Sequence, residues 1–200
     1  MTSKLHKWLG IFLLLPLMGW CITGAIFLFQ PGYGDAYTKL LPRYYPMSTL
    51  SMPSGREEWL EVRLVQTVLG PHVLARTEDG WLQYDVDTMA VRERPSFADI
   101  ERLLKDAISA DKNRYGDSLK VSANDYVTET GVQLKIDWNT LDIEQYGEDR
   151  ALIDKLYNIH YLRWTGSRPV DNVIAVLGLC GLVLTSVLGA TLLFRHRGAS

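Results

Sequence analysis

The sequence predicts an α+β domain of antiparallel strands with two helices, carried between two transmembrane α-helices. Two uncharged runs predict the membrane helices, because residues 8–34 and 172–194 contain no Asp, Glu, Lys or Arg over 27 and 23 residues. A helix crosses the hydrocarbon layer of a bilayer with about 20 apolar residues, so each run is long enough. Between the runs, alternating apolar and polar residues predict strands, and two segments with helical periodicity predict helices.

Each uncharged run has alternatives to the transmembrane interpretation. A buried helix of a soluble protein is disfavoured, because such helices rarely exceed about 20 residues without a polar face. A cleaved signal peptide is a further alternative for the first run. Its apolar core would span about 7–15 residues and end in a small-x-small cleavage site. The first run is longer, and Phe27 and Phe29 stand where small residues are needed. We therefore predict uncleaved transmembrane helices at residues 8–30 and 172–194.

The charges at the chain ends predict the orientation. The ends carry Lys4, Lys7, Arg195 and Arg197 and no acidic residue. Removing these four from the 21 Lys and Arg leaves 17 basic against 23 acidic residues, a net charge of −6. The positive-inside rule then places residues 1–7 and 195–200 in the cytoplasm. The domain at residues 31–171 would lie in the periplasm of a bacterial cell, with both termini of this two-pass inner-membrane protein inside.

The middle domain shows recognisable turn and cap signals. Residues 73–77 and 81–87 predict a β-hairpin through the Asp-Gly pair at 79–80. Ser96 is the expected N-cap of a helix that runs to about residue 110, with Asp99 three residues later. The other predicted elements are a strand or short helix at 59–66, strands at 121–128, 132–138 and 141–146, and a helix at 148–161.

Composition and motifs exclude several functions. The overall charge of −2 excludes a nucleic-acid binder that depends on net charge, and two cysteines exclude a disulfide scaffold. The chain has no glycine-rich phosphate loop, no His-x-x-x-His pair and no Gly-x-Ser-x-Gly turn. The sequence leaves open whether the chain is an enzyme. A reductase would need an external electron donor such as quinol, because no nicotinamide or flavin fingerprint is present.

The candidate site residues lie in and beside the uncharged runs. His6 and His160 lie at opposite ends of the predicted membrane helices, and neutral imidazole is a common ligand of iron. The alternative is that each is a polar side chain at the membrane interface, which is the interpretation favoured for His196 in the basic tail. Small residues at helical spacing predict close helix packing, namely Gly19, Thr23, Gly178, Gly181, Thr185 and Gly189.

Three segments resemble a known family. Residues 5–10, LHKWLG, followed by an apolar run that ends in Thr23 and Gly24, resemble the opening of PepSY-associated transmembrane proteins. Residues 159–166, IHYLRWTG, followed by Asp171 and a glycine-containing run, resemble that family's second membrane segment. Residues 81–87, WLQYDVD, are similar to a PepSY unit, although Met-Ala at 89–90 replaces the usual glycine turn. The resemblance implies a two-span member with a PepSY-like middle domain.

The resemblance also implies a cofactor. Larger members have four membrane helices, and some resemble ferric-siderophore reductases that hold b-type haem with paired histidines. His6 and His160 match the histidine-bearing positions, which implies haem b with these residues as iron ligands. They would lie about 30 Å apart on opposite membrane faces, so a homodimer would pair each histidine with its copy. Arg163 and Arg168 would then pair with the propionates of the outer haem.

Three functions follow as hypotheses. The first is a haem-bearing electron-transfer protein or a component of a ferric-chelate reductase. The second is a non-catalytic accessory subunit of a larger respiratory or transport complex in the membrane. The third is a PepSY module that binds a periplasmic protease. A visible spectrum, co-purification from membranes and protease inhibition distinguish these hypotheses.

Overall fold

The chain folds into two compact units, and the computed structural model describes residues 2–47, 55–122 and 125–197. The helical unit combines residues 1–33 with 149–200, and the sheet unit comprises residues 34–148. In chain order the elements are α1 (Thr2–Phe29), α2 (Tyr33–Tyr37), β1 (Glu61–Thr67), β2 (Gly70–Thr77), β3 (Gly80–Tyr84), α3 (Phe97–Ile108), α4 (Lys112–Tyr115), β4 (Leu119–Ser122), β5 (Asp125–Thr128), β6 (Gln133–Ile136), β7 (Ile143–Tyr146), α5 (Glu148–His160) and α6 (Arg168–Arg197).

Two helices of the helical unit are long and apolar enough to cross a membrane. The segments Ser3–Phe29 and Arg168–Phe194 each have 27 residues, with mean hydropathies of 2.2 and 2.4 over their most apolar stretches. At 1.5 Å per residue each segment is about 40 Å long, which exceeds the thickness of the hydrocarbon layer. Their apolar side chains are mostly exposed, as Phe12 at 79% and Val183 at 65% illustrate. In a core helix of a soluble protein, by contrast, the apolar side chains are mostly buried.

The sheet unit is built from two antiparallel sheets. Strands β1, β2 and β3 form a three-stranded sheet in that order, and β4 to β7 form a four-stranded sheet in that order. Every neighbouring pair is antiparallel. The predicted α+β class, an antiparallel-sheet domain between two apolar helices in the sequence, is confirmed.

Helix α3 supplies one side of the main core. Its apolar residues recur at helical spacing, and the face that they form is buried, with Leu103 and Leu104 fully inaccessible. The inward residues of the four-stranded sheet belong to the same cluster, including Leu134 on β6 and Ile143 on β7. In β6 and β7 buried and exposed residues alternate strictly, which is the pattern of strands with one face on the core.

Several boundaries differ from the sequence-based expectation. The ambiguous segment at 59–66 is strand β1 over most of its length. The single strand predicted at 121–128 is two paired strands, β4 and β5, in which Ser122 pairs with Asp125. Residues 123–124 of that prediction lie outside the described residues. Residues 122–125 are small and turn-prone, and this composition disfavours a continuous strand. The short helices α2 and α4 were not predicted, because one turn is too short to show a period.

The cap of α3 gives a test of local stability. The Ser96 hydroxyl oxygen accepts a hydrogen bond from the Asp99 backbone N–H at 3.2 Å, and its proton is donated to the Asp99 carboxylate at 2.8 Å. Replacing Ser96 with alanine should lower the free energy of unfolding of the sheet unit by about 1 kcal/mol. Urea unfolding followed by tryptophan fluorescence measures the effect. Ser118→Ala, at an exposed serine, is the control and should change stability by less than about 0.5 kcal/mol.

Candidate functional site

The His160 ring at the end of α5 is held by a hydrogen bond to α1. Its Nδ1 lies 2.8 Å from the Thr23 hydroxyl oxygen, and that hydroxyl donates its own proton to the Gly19 carbonyl at 2.7 Å. Because the hydroxyl proton is already used, Thr23 accepts from His160, and the imidazole carries its proton on Nδ1. In neutral imidazole Nε2 then keeps a lone pair, and no hydrogen bond to Nε2 exists within the described part of the chain.

Aromatic side chains surround His160. The Trp20 indole N–H donates to the His160 carbonyl at 2.6 Å. Phe27 and Tyr161 approach the imidazole edge-on, with ring centroids at 5.1 and 5.3 Å. His160 is also one of the residues that line an open groove of about 420 Å³ whose other walls are mainly apolar. His160 therefore presents its ring at the margin of a largely water-excluding surface.

The His6 ring is held in the same way at the other end of the helix pair. Its Nδ1 lies 3.1 Å from the backbone carbonyl oxygen of Thr185 on α6. A carbonyl oxygen only accepts, so Nδ1 carries the proton and Nε2 keeps the lone pair. Gly189 leaves room for the ring, because a Cβ at this position would lie 3.2 Å from His6 Cε1. His6 Nε2 also lacks a hydrogen-bond partner among the described residues.

The two histidines are too far apart to bind one ion together. His6 lies 17 positions before Thr23 in α1, and Thr23 contacts His160. At 1.5 Å per residue this corresponds to about 25 Å. Within the described ranges no group of three or more His, Cys, Asp or Glu side chains is arranged to hold a metal ion. One chain thus supplies a single imidazole at each end of the helix pair.

Most of the predicted packing residues lie between α1 and α6. A Cβ at Gly181 would lie 3.2 Å from Leu13, and a Cβ at Gly178 would lie 3.4 Å from Leu162 and 3.7 Å from Trp20. The Thr185 hydroxyl donates to the Gly181 carbonyl within α6. Gly19 differs, because among the described residues no atom beyond its own helical backbone lies within 4 Å of a Cβ placed there. Its contribution is the carbonyl that orients Thr23.

Arg163 and Arg168 lie in and just after the seven-residue connector between α5 and α6. Both side chains are exposed, and the Arg163 guanidinium carbon lies 5.1 Å from the ring centroid of Tyr161. Two residues that shape this region, Trp20 and the buried Asp171, were given no role in the site from the sequence. A tryptophan within a predicted membrane helix and an acid just before the second run were the available signals.

The sheet unit holds one buried polar cluster around His72. Its Nε2 lies 2.8 Å from the Thr67 hydroxyl, and its Nδ1 lies 3.0 Å from the Gln83 side-chain oxygen. The Gln83 amide donates to the Trp138 carbonyl, and Arg92 lies 3.2 Å from the imidazole. His72 and Gln83 are completely inaccessible. Burial, together with the Arg92 charge, lowers the pKa of His72 to about 4. The cluster links strands and a loop, and its imidazole is out of reach of a substrate.

Comparison of the chain with protein-family models, with curated proteins and with solved structures finds no match.

Proposed function

We propose that the chain is a two-pass inner-membrane protein that transfers electrons through b-type haem held between two copies. Membrane insertion is supported by the length, apolarity and exposed side chains of α1 and α6. The orientation is supported by the excess of Lys and Arg at both chain ends and the net charge of −6 between them, which together favour a periplasmic sheet unit.

The observation that carries the haem proposal is the common arrangement of His6 and His160. In each ring Nδ1–H donates to an oxygen on a neighbouring helix, and Nε2 keeps a lone pair without a partner in the described chain. A histidine that ligates a metal typically donates its other N–H in this way, which fixes the tautomer and the ring orientation. The mainly apolar groove beside His160 also fits a macrocycle with an apolar body. The residues present therefore fit the group that the resemblance implies.

Two copies of the chain are needed because one chain offers one imidazole at each end. His160 of each copy would hold one iron, and His6 of each copy would hold a second. When bound, haem supplies a one-electron carrier. The chain's own residues orient the ligating imidazoles through Thr23 and the Thr185 carbonyl, and the apolar walls restrict water. The proposed electron donor is external, and the proposed acceptor is a ferric chelate on the periplasmic side.

The second candidate is a non-catalytic accessory subunit of a larger membrane complex. It is favoured by the fact that the His6 and glycine contacts also bind α1 to α6, and the His160 contact binds α1 to α5. Interhelical hydrogen bonds and small residues serve to pack helices in membranes without any cofactor. The exposed apolar faces of both helices would then contact other subunits as well as lipid.

A visible spectrum distinguishes the two candidates. The full chain, purified in detergent from membranes of cells supplied with haem precursor, should absorb as a b-type haem protein. Dithionite should shift the bands to those of the reduced form. A colourless protein that co-purifies with a larger complex would contradict the haem proposal and support the accessory-subunit function.

Thr23 provides a test of how His160 is oriented. Thr23→Val removes the hydroxyl that accepts from His160 Nδ1 while keeping the side-chain volume. We expect haem affinity to fall about tenfold or more, as is typical when the hydrogen-bond partner of a ligating histidine is lost. Haem titration of the apoprotein measures this affinity. Thr23→Ser keeps the hydroxyl and should retain most of the affinity; equal affinities for the two variants would show that Thr23 does not orient the ligand.

A further inference from the structure

Two exposed arginines lie where α5 leads into α6: Arg163 in the connector, residues 161–167, and Arg168 at the start of α6. Within the described chain neither Arg163 nor Arg168 has an acidic salt-bridge partner or donates a side-chain hydrogen bond, although the Arg163 charge acts on the nearby Asp171 carboxylate. Other exposed arginines do have such partners: Arg76 lies 3.3 Å from Glu61, and Arg102 lies 3.7 Å from Asp99. The helical unit thus displays two guanidinium groups, available to an external anion, at one end of its longest apolar helix.

A buried carboxylate fixes the conformation of the connector. Asp171 is only 5% exposed, and one of its oxygens accepts three hydrogen bonds. The donors are the backbone N–H groups of Trp164 and Thr165, at 3.1 and 3.0 Å, and the Thr165 hydroxyl, at 2.8 Å. Since these bonds tie the connector to the first turn of α6, Arg163 is attached to an ordered backbone. Less conformational entropy is then lost when a ligand binds.

Exposed aromatic residues accompany the arginines. Trp164 is 57% exposed and Tyr161 is 52% exposed, with Arg163 stacked over the Tyr161 ring. Tryptophan and tyrosine are enriched at both membrane–water interfaces, where an apolar ring and a polar edge are both accommodated. The composition of the connector therefore matches the depth of lipid headgroups, where phosphate is the abundant anion.

An apolar groove begins at the connector and follows the helix pair. Its volume is about 450 Å³, and Leu162 and Trp164 of the connector form part of its wall. Trp20 of α1 and Leu177 of α6 line it farther along, beside Pro16. His160 does not line this groove but faces the other one, described above. A groove with these mainly apolar walls fits a hydrocarbon chain better than a polar ligand.

We propose that the connector and this groove bind one anionic phospholipid. The phosphate pairs with Arg163 and Arg168, and one acyl chain occupies the groove past Trp164 and Leu177. The assignment rests on the membrane location of the proposed function but not on haem. It assigns the two arginines to a lipid phosphate and not to haem propionates. The reason is that the groove beside Trp164 is not lined by a histidine, whereas the other groove is lined by His160.

Native mass spectrometry of the full chain in detergent tests the charge contribution. Phosphatidylglycerol and phosphatidylcholine are added separately, since the second carries the same phosphate with a compensating cation. We expect one phosphatidylglycerol per chain, bound more tightly than phosphatidylcholine. Each arginine near a headgroup contributes about a fivefold gain in affinity, so R163Q/R168Q should weaken phosphatidylglycerol binding about 25-fold. R76Q/R102Q removes the same charge elsewhere and should leave the affinity unchanged.

A second pair of variants tests the groove. Leu177→Trp fills the groove and should reduce phosphatidylglycerol binding, whereas Val183→Trp, at an equally exposed residue outside the groove, should not. Equal binding by both tryptophan variants, or by both arginine double variants, would overturn the proposal. The proposal would also be overturned if R163Q/R168Q still bound the lipid but lost its haem absorbance. The arginines would then pair with haem propionates and not with a lipid phosphate. A colourless protein with intact, arginine-dependent lipid binding would leave this inference standing while the haem proposal fails.

Discussion

Replacing His160 with alanine is expected to remove about half of the haem from the purified protein. In the proposed dimer the two copies of His160 would hold one iron, so the variant would remove both imidazoles from that site at once. The other site, held by His6, keeps its ligands and the contact with Thr185. His6→Ala should produce the complementary loss, and the double variant should be colourless. Haem content per chain, measured by the pyridine haemochrome assay, gives the result.

His196→Ala is the matched control for these variants. His196 is also a histidine at the end of an apolar helix, but its position between Arg195 and Arg197 favours a polar interfacial role. Its replacement should leave the haem content unchanged. A full complement of haem in His160→Ala would contradict the proposed ligand, and an equal loss in all three single variants would point to general destabilisation of the helix pair.

The second large effect concerns the acid sensitivity of the sheet unit. The pKa of His72 is about 4 in the folded chain, against 6.5 for an unperturbed histidine, chiefly because the ring is buried. Between these values the unfolded chain binds more protons than the folded chain. The contribution of His72 to stability is therefore complete above pH 6.5 and is lost as the pH falls towards 4. From pH 7 to 4.5 the loss amounts to about 2 kcal/mol.

A variant without the titrating group isolates this contribution. The free energy of unfolding is measured in urea at both pH values, with tryptophan fluorescence as the signal, because Trp138 lies against the His72 ring. His72→Gln is less stable at pH 7, since it loses the ring packing, but its stability should fall less on acidification by about 2 kcal/mol. The same pH dependence in both proteins would mean that His72 does not titrate on unfolding.

Most elements of the fold could be predicted from local sequence patterns. The Asp-Gly turn identified the hairpin of β2 and β3, and Ser96 with Asp99 identified the start of α3, because these signals act within a few residues. The break between β4 and β5 was not predicted, because the apolar residues on both sides of it match the pattern of one continuous strand. The grouping of α5 with the two apolar helices was not predictable either, since it depends on contacts between residues far apart in the chain.

The candidate site was predictable in its residue types but not in its geometry. The positions of His6 and His160 at the ends of the uncharged runs made them candidates. Their partners could not be named, because the Thr23 hydroxyl and the Thr185 carbonyl lie 137 and 179 residues away in the sequence. The small residues were predicted to pack helices, yet only contacts in three dimensions distinguish Gly189, which makes room for an imidazole, from Gly19, which has open space.

Native mass spectrometry of the purified chain tests the central claim most directly, because it reports the number of chains and of haems in one particle. The proposed arrangement predicts a particle of two chains with two haems, and a particle of two chains with one haem for His160→Ala. A single chain that retains haem, or a dimer that never carries haem under conditions of ample supply, would contradict it.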